Sequence, residues 1–135
     1  MKIVLDTNVF VSGVFFRGPP AQILGAWRDG RVVPAASAPI LEEYRRVGIL
    51  LSERYEGTAI EPLLTLLAIH SELVDAPDLP EPVCEDPDDD KFLACALAAG
   101  VQIVVSGDRH LRRVSGWSGI QILTPRQFVE RYLDR

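Results

Sequence analysis

The chain has 135 residues, the size of one domain built around a single hydrophobic core. It is 47% hydrophobic and 24% charged, which excludes a disordered chain. Its formal charge of -5 is the charge of five acids packed between Glu85 and Asp90, so the acidity is local, and no broad basic surface marks a polyanion-binding protein.

The first strand is expected at Lys2-Ile3-Val4-Leu5, a short apolar run of the kind buried in a parallel sheet. Asp6-Thr7-Asn8 follows at its C-terminal end, and apolar residues continue through Val9–Val11 and Val14–Phe16. Arg17-Gly18-Pro19-Pro20 is a loop opening a helix over Ala21–Trp27, which Asp29-Gly30 closes. Arg31–Ala36 reads as a second strand, with Pro34 marking an early end or an edge position. Ser37 is placed to cap a helix over Ala38–Val47, with Glu42 and Glu43 in its early turns. Gly48–Gly57 is an irregular or helical link. Thr58–His70 is a helix apolar on more than one face, which calls for deep burial or a partner surface, burial being the commoner case.

Ser71–Val74 suggests a third strand. Asp75–Pro87 holds five acids and four prolines and reads as a loop. Asp88 or Asp89 is placed to cap the helix that follows, with Phe92, Leu93, Ala96 and Leu97 as its stripe and Gly100 as its stop. Gln102–Val105 is the clearest strand, with Ser106-Gly107-Asp108 at its C-terminal end. A short helix over Arg109–Val114, a loop, a strand at Ile120–Leu123 and a final helix capped by Thr124 complete the chain. Alternating strands and helices predict an α/β fold: a three-layer α/β/α sandwich with a central, mostly parallel sheet, in one domain over residues 1–135. No signal peptide or membrane span is expected. Cys84 and Cys95 do not make a disulfide framework, so the expected setting is the reducing cytoplasm with no membrane contact.

Ligands of such sheets bind beyond the carboxyl ends of the strands. Asp6 ends the first strand and Asp108 the strand over Gln102–Val105. Asp90 opens the helix feeding that strand, and Glu43 lies near the start of the helix after the second strand. Four carboxylates from four segments are thus expected at one sheet edge. Such a set of oxygens suits Mg²⁺ or Mn²⁺, and no His/Cys cluster offers a zinc alternative. One or two such ions activate water and stabilise a leaving oxygen in phosphodiester cleavage. Five acids in six positions exceed what helix capping needs, and their mutual repulsion also calls for a cation.

These segments resemble a known family. Val4-Leu5-Asp6-Thr7-Asn8-Val9, Ser37 through Leu41-Glu42-Glu43-Tyr44, Asp86-Pro87-Asp88-Asp89-Asp90-Lys91-Phe92-Leu93 and Val105-Ser106-Gly107-Asp108-Arg109-His110-Leu111 are similar to the four acidic motifs of PIN-domain nucleases, in particular the VapC-like toxins of toxin–antitoxin systems. The resemblance implies a Mg²⁺- or Mn²⁺-dependent endoribonuclease acting on single-stranded or structured RNA. It implies Asp6, Glu43, Asp90 and Asp108 as catalytic and metal-site acids, with Glu42 the alternative to Glu43. Asn8 and Ser106 become polar supports, and Asp86, Asp88 and Asp89 outer or capping groups. Arg17 and Arg109 lead the candidate phosphate contacts, with Arg45, Arg46, Arg112 and Arg113 behind them. An antitoxin and a second copy of the chain are the expected protein partners. His110 reads as a surface residue. Two other readings stand beside the nuclease. One is a metal-binding module without nuclease activity that serves a protein partner. The other is a phosphoaspartyl hydrolase, disfavoured because Asn8 occupies the place of its second acid.

Overall fold

The computed structural model describes residues 1–55 and 59–134. Five strands, β1 (Lys2–Leu5), β2 (Val33–Ala36), β3 (Glu72–Leu73), β4 (Ile103–Val105) and β5 (Gln121–Leu123), form a sheet in the order β3-β2-β1-β4-β5. Every neighbouring pair is parallel. Consecutive residues of β1, Ile3, Val4 and Leu5, are all buried, as only a strand covered on both faces allows. The expected α/β architecture is therefore the observed one.

Helices flank the sheet: α1 (Thr7–Phe15), α2 (Pro19–Arg28), α3 (Ala38–Arg54), α4 (Glu61–His70), α5 (Asp90–Ala99), α6 (Arg109–Arg112) and α7 (Pro125–Phe128). A wider helical turn, Val129–Leu133, extends α7. Thr124 and Gln127 cap α7 reciprocally. Gly100 ends α5 at φ 68°, a conformation costly for any residue with a Cβ. Cys95 lies fully buried on α5, and burial pushes its thiol up to about 12.

Pro34 sits inside β2, opposite Ile3 of β1. It is tolerated because β3 pairs only with Ala35 and Ala36, so the outer side of β2 is an edge at Pro34. The sequence pattern suggests an end to the third helix at Val47; α3 instead runs to Arg54. Gly48 is not a stop but a contact. It is buried, and a Cβ there would meet Ile60 Cγ1 at 2.5 Å, so the missing side chain lets the segment entering α4 approach. The expected start of the next helix, at Thr58, lies outside the described residues. Its expected deep burial holds for one face only: Leu67 is fully buried, whereas Leu66 and Ile69 are 46% and 66% exposed.

The chain moves from β1 outward through β2 to β3, then returns across the sheet to β4 and β5. The direction reverses between the adjacent strands β1 and β4. Such a switch point leaves a crevice at the strands' carboxyl ends. Asp6 follows β1 there, and Ser106 to Asp108 follow β4.

Candidate active site

Asp6 is the best fixed of the acids. Its backbone N–H donates to the Val105 carbonyl across the switch point at 3.0 Å. Its side chain caps α1, with Oδ1 accepting from Val9 N–H at 2.8 Å. Oδ2 accepts from the Ser106 hydroxyl. Ser106 is fully buried, and its Oγ also accepts from Asp108 N–H at 3.0 Å. One hydroxyl thus ties the acid after β1 to the acid after β4. Asp108 itself caps α6 through His110 N–H at 2.8 Å.

Burial, only partly offset by the bonds from Ser106 and Val9 and reinforced by the charges of Asp108 and Glu43, raises Asp6 from 3.8 to about 6. A carboxylate with two hydrogen-bond donors would ordinarily be lowered. Here loss of water and the neighbouring acids win.

The second motif resolves in favour of Glu43 on position. Glu42 is exposed; Glu43 is partly buried and accepts from the Thr7 hydroxyl, next to Asp6. Glu43 Oε1 also lies 3.1 Å from Lys91 Nζ and 3.6 Å from an Arg46 guanidinium nitrogen. Tyr44 holds this end of α3 in place. Its buried ring stacks on Phe10 of α1 at 4.4 Å, and its hydroxyl donates to the Leu5 carbonyl.

In the third motif two neighbouring acids take different partners. Both oxygens of Asp90 serve the preceding loop, accepting from Val83 N–H at 3.1 Å and Cys84 N–H at 2.7 Å. Those bonds hold the loop against α5, much as the bonds from Val9 and Ser106 hold Asp6. Asp89, the neighbour of Asp90, is placed differently. It occupies the cap position of α5 in helical conformation, its side chain makes no capping bond, and it lines a cleft with Asp86 and Asp108. Burial first, then the charges of Asp86, Asp108 and Asp6 against the weaker pull of Lys91, raise Asp89 to about 6. Asp86 caps the turn Pro87–Asp89 through Asp88 N–H. A sequence signal for Asp89 exists: it lies four residues before Leu93 and seven before Ala96, both fully buried, so it shares the face of α5 turned toward the sheet.

The cleft encloses about 470 Å³ between Glu85, Asp86, Pro87, Asp89, Asp108 and His110. At its rim His110 Nδ1 lies 2.7 Å from Glu85 Oε2, in keeping with a surface role. Asn8 is exposed on the first turn of α1. Arg109 is exposed beside Asp108, whereas Arg17 lines a separate groove of about 1070 Å³ with Leu24, Trp27 and Leu66. Arg17 is therefore not brought to the acids. Thr7 and Lys91, which no sequence signal marks for the site, are.

The donor set is chemically suited to a hard divalent cation: carboxylate oxygens only, two of them in acids that burial and like charge hold near 6. Among the described residues no three His, Cys, Asp or Glu side chains already stand in the positions an ion would need. Asp6 is held by Val9 and Ser106, and Glu43 by Thr7 and Lys91.

No helix among the described residues is long and apolar enough to cross a membrane. The uncharacterized protein MJ1680 of Methanocaldococcus jannaschii is 28% identical over 144 residues, spanning 98% of this chain and 92% of that one. The crystal structure of PAE2754 from Pyrobaculum aerophilum superposes with a TM-score of 0.61 at 13% identity over the full length of both chains, a likeness of fold. The family model for the PIN domain matches residues 2–110, a stretch that contains Asp6, Glu43, Asp89 and Asp108. With that match over most of its length, and with those acids gathered at the switch point of a parallel sheet, the chain belongs to the PIN-domain family, a family of nucleases.

Proposed function

We propose that the protein is a Mg²⁺- or Mn²⁺-dependent endoribonuclease whose metal-site acids are Asp6, Asp89 and Asp108, with Glu43 beside them. The observation that carries this reading is the buried Ser106 hydroxyl joining Asp6 to Asp108, with Asp6 and Asp89 both raised toward 6 by burial and neighbouring acids. Carboxylates raised by burial and like charge in a cleft are a mark of functional sites. Asp6, Asp89 and Asp108 would hold the metal, which would supply water of lowered pKa and neutralise charge at the scissile phosphate.

The chain's own residues do the rest. Ser106 and Val9 N–H fix the orientation of Asp6, so that its carboxylate loses little freedom on binding a ligand. Asp6 and Asp89 are mostly ionised above about pH 6 and offer their negative charge there. Arg109, exposed next to Asp108, is placed to hold an RNA phosphate at the rim. No side chain is required as nucleophile.

The cellular role we propose is that of a toxin paired with an antitoxin. It rests on the likeness of the four motifs, and the apolar residues exposed on α4, Leu66 and Ile69, supply surface for such a partner. The test of the activity is cleavage of end-labelled single-stranded RNA with Mn²⁺, Mg²⁺ or EDTA, in the wild type and in Asp6→Asn. Cleavage that needs metal and is lost in the variant is the expected result. Equal cleavage by both proteins would refute the site, and metal-independent cleavage would refute the chemistry.

A further inference from the structure

The role of Lys91 deepens this reading and rests on the acids being a metal site. We propose that Lys91 is a resident cation of the site: its ammonium occupies the Glu43 end of the carboxylate cluster, so that the chain takes up one divalent metal where its acids would otherwise draw two.

The contacts are specific. Lys91 Nζ lies 3.1 Å from Glu43 Oε1 and 2.9 Å from Asp88 Oδ2, joining α3 to the start of α5. It also lies 5.4 Å from the centre of the Phe92 ring, whose face favours a cation. The side chains of Lys91 and Glu43 are only 14% and 16% exposed, so this pair is shielded from water far more than an ordinary surface pair.

The position opposes what the helix itself prefers. Lys91 is in the first turn of α5, where the macrodipole disfavours positive charge. Ordering its long side chain also costs rotamer entropy. Groups outside the helix must offset both, and the two carboxylates do so. Residue type points the same way. The chain carries two lysines, Lys2 and Lys91, against twelve arginines. An ammonium is a compact point charge with three donors, closer to a hydrated metal ion than a planar guanidinium is.

Placement connects the pair to the reactive end. Glu43 also accepts from Thr7, the neighbour of Asp6. Lys91 therefore neutralises Glu43, the acid that Thr7 links to Asp6. It leaves Asp6, Asp89 and Asp108 as the ligands for an added ion and acts on Glu43 as a positioning residue.

The test is the number of Mn²⁺ ions bound per chain, read by electron paramagnetic resonance of free and bound Mn²⁺. It compares the wild type with Lys91→Met, Lys91→Arg and Lys91→Met/Glu43→Gln. The expected counts are one for the wild type, two for Lys91→Met, one for Lys91→Arg and one for the double variant. A wild type that binds two, or a Lys91→Met that stays at one, overturns the role of Lys91 and leaves the metal site standing. No binding in the wild type with one ion gained in Lys91→Met overturns both the proposed count and the metal-dependent nuclease. No binding in either overturns both. Should Lys91→Met not fold, Lys91→Gln removes the charge while keeping a hydrogen-bonding group, with the same expected count of two.

Discussion

Asp89 and Asp90 are adjacent, yet their surroundings predict opposite effects of substitution on stability and on the response to metal. Asp89 has a folded-state value of about 6 against an ordinary 3.8. Ionised at pH 7.5, it opposes folding by up to about 3 kcal/mol, at about 1.4 kcal/mol for each tenfold change in its acid dissociation constant. Asp89 is partly exposed, and solvent screening reduces this to about 1 kcal/mol. The penalty is absent below about pH 4, builds as pH rises to about 6, and is complete above that. Asp89→Asn removes it. In EDTA at pH 7.5 the melting temperature should rise by about 4 °C, the shift expected for about 1 kcal/mol in a domain of this size. Added Mn²⁺ should then raise it further by much less than in the wild type, because a ligand is gone. Asp90→Asn does the reverse. One of the two oxygens that accept from Val83 and Cys84 becomes an NH₂ group facing a donor. That costs about 1–3 kcal/mol, so the melting temperature should fall while the Mn²⁺ response persists. Differential scanning calorimetry of the three proteins with EDTA and with excess Mn²⁺ measures both quantities. A lost Mn²⁺ response in Asp90→Asn together with an intact one in Asp89→Asn would refute the assignment.

Two further outcomes follow from the same bonds. Asp6 is also raised to about 6, so its contribution favours the metal-free fold at low pH and is lost as pH rises through about 6. In EDTA the melting temperature should therefore climb as pH falls from about 7 to about 5, and saturating Mn²⁺ should flatten that slope; a slope unchanged by metal would contradict the site. Ser106→Ala removes the donor to Asp6 and leaves Asp108 N–H without the Ser106 hydroxyl as acceptor. It should cost about 1–3 kcal/mol in denaturant unfolding, and it should shift the acid limb of RNA cleavage to higher pH, since the bond from Ser106 is what holds Asp6 down.

The elements were legible in the sequence because their signals are local. Apolar runs at Lys2–Leu5 and Gln102–Val105 marked the two strands that frame the switch point, and Gly100 marked the end of α5. Acids at strand ends needed only the rule that parallel sheets bind at their carboxyl edge, which placed Asp6 and Asp108. Signals that depend on a distant partner were misread. The helix bounded at Val47 in the sequence continues to Arg54, because Gly48 gives Ile60 its space and does not break the helix. The apolar sequence of α4 does not say which side is covered.

The site divides in the same way. Sequence alone determined the chemistry on offer: carboxylates in four segments, few lysines and no His/Cys cluster, because residue types and strand order are written in the chain. Only the tertiary structure decided which acid faces the crevice. Asp88, Asp89 and Asp90 are chemically alike, and a rotation of about 100° per residue sends their side chains to different places. Asp90 meets the backbone of Val83 and Cys84, Asp88 meets Lys91, and Asp89 lines the cleft with Asp108. The partner of Asp88 is local, and the spacing of Asp89 to Leu93 and Ala96 is written in the chain, but the partners of Asp90 depend on how the preceding loop folds back, which no pattern along the chain encodes.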